Sequence, residues 1–290
     1  MEYFLHILIL IGIYVILSVS LNLIVGYTGL LSVAHAAFYG VGAYVAALLA
    51  IKFHSPFLVN IILAVVFGGL LGAMVGIPTL RTRDDYFMVT TFVFQVIIFS
   101  IFNNWVSFTG GPMGLPGIPA PSFFGWRIES HLDYLIVVLV FSLLVVILSL
   151  RIGHSPFGRV LKAIREDEIF SQAHGKNIAF FKIAIFVIGA GMASVAGLVY
   201  AYYISFIEPT SFTVMESIFI ISIVIIGGAG NIWGSIVGAT FLVALPEALR
   251  FIGMPNAIAA NIQQLIYGAL LVLCMLYRPQ GFLGEYSFDK

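Results

Sequence analysis

The residues best suited to chemistry lie in one polar segment, 151–182, which reads RIGHSPFGRVLKAIREDEIFSQAHGKNIAFFK. The segment lies between two long apolar runs, and its six basic residues are nearly half of the chain's 13 Lys and Arg residues. They are Arg151, Arg159, Lys162, Arg165, Lys176 and Lys182. Charges this dense need water, so the segment is predicted to lie outside any apolar environment.

The same segment carries the signals of a helix. Ser155 can cap free backbone amides, Pro156 is tolerated at the first helical position, and Gly175 is a plausible end, which predicts a single helix of roughly one and a half dozen residues. Its apolar residues recur at helical spacing: Phe157, Val160, Leu161 and Ile164. Charged residues occupy another face: Arg159, Lys162 and Glu166. Two interpretations stay open at this point, a loop helix whose charges only orient the protein in a membrane and a docking helix for a soluble subunit.

Composition identifies the class of protein. Hydrophobic residues make up 61% of the chain, charged residues 9%, and the mean hydropathy is +1.10. Soluble domains contain roughly 25% charged residues, so this composition predicts an integral membrane protein. The formal net charge is zero, which gives no reason to expect a nucleic-acid partner. The single cysteine, Cys274, permits no intramolecular disulfide, and no removable signal peptide is expected at the start of the chain.

The first apolar run contains a candidate pathway element. No charged residue occurs between Glu2 and Lys52, a length sufficient for two membrane helices, and GYTGLLS at 26–32 interrupts the run. Irregular backbone at membrane depth survives only where protein buries it or where it lines a cavity. The predicted substrate pathway residues are therefore Tyr27, Thr28, Ser32 and His35. The alternative is a plain turn between two spans.

The remaining chain divides into further apolar segments. They are expected near 57–80, 86–102, 133–151, 183–207, 213–226, 232–250 and 259–277. The basic residues at 81–83, 151–182 and 278 should share the cytoplasmic side, and the Gly- and Pro-rich loop at 103–132 should lie outside. The predicted fold is one all-α domain, 1–290, a polytopic helical membrane protein with about eight or nine hydrophobic segments, some of them broken or re-entrant. GYTG at 26–29 and GGAG at 227–230 suggest an internal duplication.

The sequence offers little to an intramembrane enzyme. No HExxH, CxxC or Gly-x-Ser-x-Gly pattern occurs, so no catalytic residue and no metal site are predicted. There is no Walker A sequence and no relay of acidic and histidine residues for proton coupling, so an energy source must belong to a partner. Glu216 could be functional or solvated, Glu247 and Arg250 could neutralise each other, and Gln95 is predicted to bond a neighbouring helix.

A set of motifs spread over nearly the whole chain carries a family resemblance. They are LNLIVGYTGLLSVAHAAFYGVGAYVAALL (21–49), RTRDDYFMVTT (81–91), TGGPMGLPGIP (109–119), GRVLKAIREDEIFSQAHGKN (158–177), GGAGNIWGSIVGA (227–239) and RPQGFLG (278–284). In this order they resemble the permeases of branched-chain amino acid ABC transporters, in particular the LivM type. The resemblance implies that about 151–182 is a cytoplasmic coupling segment. Its family pattern maps onto Gly158, Arg159, Ala163, Ile164, Arg165, Glu166, Asp167 and Glu168. We expect Phe157, Leu161 and Ile164 to anchor the helix by burial, and Arg159, Arg165 and Glu166 to set the geometry of the contact with an ATP-binding subunit.

The resemblance also implies an assembly. The expected partners in a bacterial inner membrane are a second, LivH-like permease, two cytoplasmic ATP-binding subunits and an external substrate-binding protein. This chain would hold no cofactor, because ATP and Mg would sit on the partner subunits, and it would form half of the pathway for leucine, isoleucine and valine. The alternatives are a permease for urea or another small amide or amino acid and, from a different class, a stand-alone channel or facilitator.

Overall fold

The computed structural model describes residues 2–79, 84–123, 126–251, 256–278 and 280–284. These residues form twelve α-helices, two short 3₁₀ turns and four two-residue strands. The helices are α1 Glu2–Thr28, α2 His35–Phe53, α3 Phe57–Thr79, α4 Asp84–Asn104, α5 Val106–Thr109, α6 His131–His154, α7 Pro156–Glu166, α8 Glu168–Ala173, α9 Ile178–Ile204, α10 Val214–Gly227, α11 Ile232–Phe251 and α12 Asn256–Tyr277. The 3₁₀ turns are Gly111–Met113 and Pro209–Phe212, and the strands are β1 Leu115–Pro116, β2 Ser122–Phe123, β3 Trp126–Arg127 and β4 Phe206–Ile207.

The described helices confirm a polytopic membrane protein. Six of them, α1, α2, α3, α4, α6 and α9, are long and apolar enough to cross a membrane. Three shorter apolar helices follow, at Val214–Gly227, Ile232–Glu247 and Gln264–Tyr277. The described part of the chain thus contains the eight or nine hydrophobic segments that the sequence predicts, with broken segments among them.

The two ends of the helical bundle are easily told apart. At one end, His6 of α1 lies 2.5 Å from the hydroxyl of Tyr203 near the end of α9, and the His131 ring at the start of α6 is 6.2 Å from the Tyr203 ring. At the other end α7 packs on α1, α6 and α9. We call these the loop end and the α7 end, because segments 105–123 and 126–130 lie at the first of them.

The loop between α4 and α6 is more ordered than predicted. The sequence predicts an irregular Gly- and Pro-rich stretch, but β1 within it pairs antiparallel with β4 after α9, with Leu115 opposite Ile207. β2 and β3 form a second antiparallel pair. Two-residue strands carry no detectable period, so only the fold reveals this connection between distant segments.

Close helix packing holds the bundle around α9. The small-residue stretch GAGMASVAG at 189–197 faces α2 and α3, where a Cβ added at Gly42 would lie 2.5 Å from the Cα of Ser194. At Gly72 an added Cβ would lie 2.6 Å from the Cβ of Ala190. Backbones this close need glycine, which makes this stretch a small-residue packing surface. Outer faces of α3, α4 and α6 expose large apolar side chains such as Phe92 and Leu143, as lipid contact requires.

Candidate functional site: an amphipathic helix beside two breaks between membrane helices

Helix α7 begins as predicted and ends earlier. The Ser155 side chain accepts a hydrogen bond from the Gly158 amide at 3.2 Å, and Pro156 takes the first position. The prediction of one helix reaching Gly175 is wrong, because Asp167 adopts an extended backbone and accepts a bond from the Phe170 amide at 2.9 Å. Asp167 therefore ends α7 and caps a new helix, α8.

The apolar face of α7 is covered by this chain's own helices. Leu161 and Ile164 are fully buried, and Phe157 stacks on Phe181 of α9 with ring centroids 5.2 Å apart. These residues anchor α7 by burial, as the sequence predicts. The residues of α7 left exposed are Pro156, Arg159, Ala163 and Glu166, and the exposed Asp167 follows them. A soluble partner can therefore reach the charged face and not the apolar one.

Two basic side chains of α7 point back into the protein. Arg165 donates through Nη1 to the backbone carbonyl of Gly26 in α1 and lies 3.0 Å from the Glu166 carboxylate. The Lys162 ammonium lies 5.2 Å from the centre of the Tyr27 ring, a cation–π geometry. The structure therefore directs Arg165 toward the end of α1, and its predicted part in a partner contact stays a prediction.

Beyond α7 the structure corrects the expected exposure of Lys182 and adds two residues to the candidate site. Lys182 was expected in water, but it is 6% exposed and forms an ion pair with Glu168, which satisfies the charges of both residues. Next to Glu168 on α8, Ile169 is 81% exposed and Phe170 is 61% exposed. Sequence reasoning missed these two, although an apolar pair beside the Asp167 cap signals a surface that needs cover.

The first break between membrane helices, residues 29–34 between α1 and α2, runs from the α7 end into the interior of the protein. Thr28 donates to the Ile24 carbonyl at 2.7 Å, and Gly29 has a φ of +76°, which ends α1. Ser32 is fully buried, and the equally buried His35 places Nε2 at 2.8 Å from the Ser20 hydroxyl. Tyr27 and Thr28 thus lie beside α7, whereas Ser32 and His35 lie deeper, and a common route along all four stays a prediction.

Helix α2 begins inside the protein, and other helices satisfy its first amides. Ala36 donates to the Ser217 hydroxyl at 2.9 Å, and Ala37 donates to the Gln95 side chain at 2.7 Å. Gln95 also donates to the Phe212 carbonyl at 2.8 Å. Buried helix starts need such partners. The predicted role of Gln95 as a bond to a neighbouring helix is confirmed.

The second break, residues 228–231, lies against the first. The buried Asn22 side chain accepts from the Gly230 amide at 2.8 Å and donates to the Asn231 carbonyl and the Ser235 hydroxyl, each at 2.8 Å. A Cβ added at Gly26 would lie 2.7 Å from the Cα of Gly230. The two glycine motifs noted in the sequence therefore meet at the α7 end, with Asn22 joining them. Asn22 was missed, though a lone amide in an uncharged apolar run is its signal.

Two carboxylates lie within apolar helices and each bonds a tyrosine. The Tyr14 hydroxyl donates to Glu216 at 2.7 Å, and the Tyr3 hydroxyl donates to Glu247. The predicted neutralisation of Glu247 by Arg250 falls on a side chain outside the described residues. Across the described ranges, no three His, Cys, Asp or Glu residues come together as a metal site would require.

Comparison with known families assigns the chain. Residues 3–275 match the family described as "Branched-chain amino acid transport system / permease component". The chain belongs to this family. It is 35% identical to the protein named high-affinity branched-chain amino acid transport system permease protein LivM of Salmonella typhimurium (strain LT2), over 93% of this chain and 68% of that protein. The same figures hold for the protein of that name from Escherichia coli (strain K12). The permease protein LivH of Salmonella typhimurium is 24% identical over 96% of this chain and 93% of that protein. No solved structure matches the chain.

The family match covers most of the residues that form the candidate site. The matched range includes α7, both breaks and the helices that position them, and it ends before segment 280–284. That last segment supports the second break, because the amides of Phe282 and Leu283 bond the Ile226 and Gly227 carbonyls at 2.9 and 3.1 Å. Membership in a permease family and six long apolar helices establish a multi-pass membrane protein.

Proposed function

We propose that this chain is a permease subunit of an ABC importer for leucine, isoleucine and valine, and that it forms half of the translocation pathway. The observation that carries the proposal is α7, a helix anchored by its apolar face to the membrane helices while its charged face stays exposed. The named relatives are permeases of branched-chain amino acid transport systems, which supports the cargo.

The proposed assembly places the α7 end in the cytoplasm of a bacterium, at the inner membrane. Two ATP-binding subunits dock there and carry the ATP and Mg, so this chain holds no cofactor and is not an enzyme. A second, LivH-like permease completes the pathway, and an external substrate-binding protein delivers the amino acid at the loop end. The existence of related permeases named LivM and LivH supports a pair of distinct permease subunits.

The surface that receives an ATP-binding subunit combines charge and apolar area. Arg159, Ala163 and Glu166 form the exposed face of α7, and Ile169 and Phe170 on α8 extend it. Apolar side chains this exposed at the water-facing end favour a protein contact, and interface energy concentrates in such apolar anchors. Rim charges contribute mainly to orientation and association rate.

The contacts behind α7 suggest how ATP hydrolysis moves the pathway. A displacement of α7 reaches α1 through the hydrogen bond from Arg165 to Gly26 and reaches the second break through Gly26 and Asn22. Both breaks therefore respond to one docking event. Packed elements with two discrete arrangements are the physical means by which such small shifts are transmitted.

The test is reconstitution of this chain with the second permease, the ATP-binding subunits and the binding protein in proteoliposomes. We expect ATP-dependent accumulation of leucine that valine inhibits and urea does not, and no accumulation when the ATP-binding subunits are omitted. Accumulation of urea in place of leucine would overturn the cargo. Equilibration of leucine without ATP or partners would identify a facilitator instead.

A further inference from the structure

A carboxylate lies next to a cluster of aromatic rings inside the membrane region. Glu216 belongs to the first turn of α10, is half-buried, and accepts a hydrogen bond from Tyr14 of α1 at 2.7 Å. The Tyr14 ring meets Phe219 edge-on at 5.2 Å, and Phe219 lies 4.9 Å from Tyr267 of α12.

The charge of Glu216 is not matched by a basic side chain in the described part of the chain. Three other glutamates pair with a basic residue there, Glu129 with Arg127, Glu166 with Arg165 and Glu168 with Lys182. An ionised carboxylate in apolar surroundings is costly unless a cation joins it, and one tyrosine hydroxyl supplies a hydrogen bond without charge. A carboxylate bonded to a tyrosine of an aromatic cluster is suited to an ammonium group, since carboxylates and aromatic rings both attract cations.

The helix that carries Glu216 starts within the protein. Its 14 residues span about 21 Å, less than the roughly 30 Å of a bilayer core. Thr213 precedes it without a side-chain cap, and the adjacent Phe212 is fully buried. The amides of such a helix start favour a carboxylate, as they do in transporters built from broken helices.

We propose that Glu216 and Tyr14 bind the α-ammonium group of the transported amino acid and that the first turn of α10 faces its carboxylate. The proposal rests on the proposed function and adds the position of the cargo within the pathway. An α-amino acid carries its two charges on neighbouring groups, and Glu216 lies within one turn, about 5.4 Å, of the helix start. One amino acid can therefore bind both Glu216 and the start of α10, while the rings of Tyr14, Phe219 and Tyr267 cover its apolar side chain.

The test compares Glu216→Gln, Glu216→Asp and Tyr14→Phe with the matched control Glu247→Gln, which also removes the charge of a tyrosine-bonded carboxylate in an apolar helix. Binding of radiolabelled leucine is measured on the permease pair assembled with its ATP-binding subunits, in competition with isoamylamine, which lacks the carboxylate, and with isocaproate, which lacks the amine. Subunit stoichiometry and ATP hydrolysis report on assembly in every variant.

We expect Glu216→Gln to weaken leucine binding at least about tenfold, the loss that follows when a charge-assisted contact is removed. Glu216→Asp should restore part of the affinity, Tyr14→Phe should weaken it several-fold, and Glu247→Gln should leave it unchanged. Isoamylamine should compete in the parent and lose its effect in Glu216→Gln, whereas isocaproate should act equally in both. Parental affinity in Glu216→Gln, or an equal loss in Glu247→Gln, would overturn the site.

Two further results separate this site from the proposed function. If Glu216→Gln fails to assemble, Tyr14→Phe decides, and parental affinity in that variant would overturn the site. If the parent assembly binds and transports no leucine, the proposed function fails, and binding of isoamylamine then tests the ammonium site by itself.

Discussion

At the scale of single residues, Asn22 joins α1 to the second break and to the helix that follows it. Its amide bonds two groups of the second break and the Ser235 hydroxyl of α11 from a fully buried position in the last third of α1. The Gly230 amide and the Ser235 hydroxyl are themselves buried. Loss of the Asn22 side chain would therefore leave the buried Gly230 amide without its partner, whereas the Asn231 carbonyl also accepts from the Ser235 amide.

We expect Asn22→Ala to destabilise the protein substantially, because each buried group left unsatisfied costs about 1–3 kcal/mol. The measurement is the midpoint of thermal unfolding in detergent, which should fall well below that of the parent. The control is Asn104→Ala, since the exposed Asn104 bonds only the Ser100 carbonyl of its own helix. Equal midpoints for the two variants would show that Asn22 does not hold the breaks together.

Residue-level prediction from sequence succeeds where the interaction is local. Ser155 caps α7 because its partner amide is three residues away, and that spacing is visible in the sequence. Asn22 and Gly230 are 208 positions apart, so only the fold brings them together. The burial of Lys182 was unforeseen for the same reason, because its partner Glu168 lies across a turn.

At the scale of elements, α7 has two faces with different roles. Leu161 and Ile164 hold it on the membrane helices, whereas Ala163 lies on the exposed face. The strong helical period of the apolar residues made this division predictable. The end of α7 was not predictable, because an aspartate at position 167 is compatible both with a continuing helix, where its propensity is low, and with the cap of a new helix. The hydrogen bond that Asp167 accepts from the Phe170 amide shows that it is a cap.

We expect Leu161→Ala and Ala163→Trp to separate anchoring from docking. Leu161→Ala removes buried volume and should destabilise the permease by about 2–5 kcal/mol. Ala163→Trp adds bulk on the exposed face and should leave thermal unfolding unchanged while it greatly reduces copurification of the ATP-binding subunits. Normal copurification of Ala163→Trp would exclude this face from docking.

The apolar segments themselves were predicted closely. The segment expected near 213–226 is helix Val214–Gly227, and the one expected near 232–250 is Ile232–Phe251. Long apolar runs bounded by glycine leave few alternatives. The buried start of α2 could not be predicted, because its first amides are satisfied by Ser217 of α10 and Gln95 of α4, which lie far away in the sequence.

At the scale of the whole molecule, the proposed function requires that the α7 end and the loop end lie on opposite sides of the membrane. Lys176, after α8, is exposed at the first end, and Met113 is 86% exposed at the second. The basic residues concentrate at the α7 end, which the positive-inside rule assigns to the cytoplasm.

Single cysteines at these positions test the orientation in a Cys274→Ser background. An impermeant maleimide added to right-side-out spheroplasts should label Met113→Cys and should reach Lys176→Cys only after the membrane is opened. Labelling of both positions from outside would contradict the arrangement of the bundle.

In the proposed function, ATP hydrolysis on partner subunits drives transport through α7. The decisive measurement is the ratio of leucine transported to ATP hydrolysed. The ratio is measured in proteoliposomes with the complete assembly, for the parent, for Arg165→Ala and for the control Arg127→Ala, an exposed arginine paired with Glu129 at the loop end. Arg165→Ala removes the bond to Gly26 while leaving the exposed docking residues in place. We expect it to assemble and hydrolyse ATP but to move at least about tenfold less leucine per ATP, the effect of losing roughly 1.4 kcal/mol or more of coupling. A ratio equal to that of the parent and of Arg127→Ala would contradict the account.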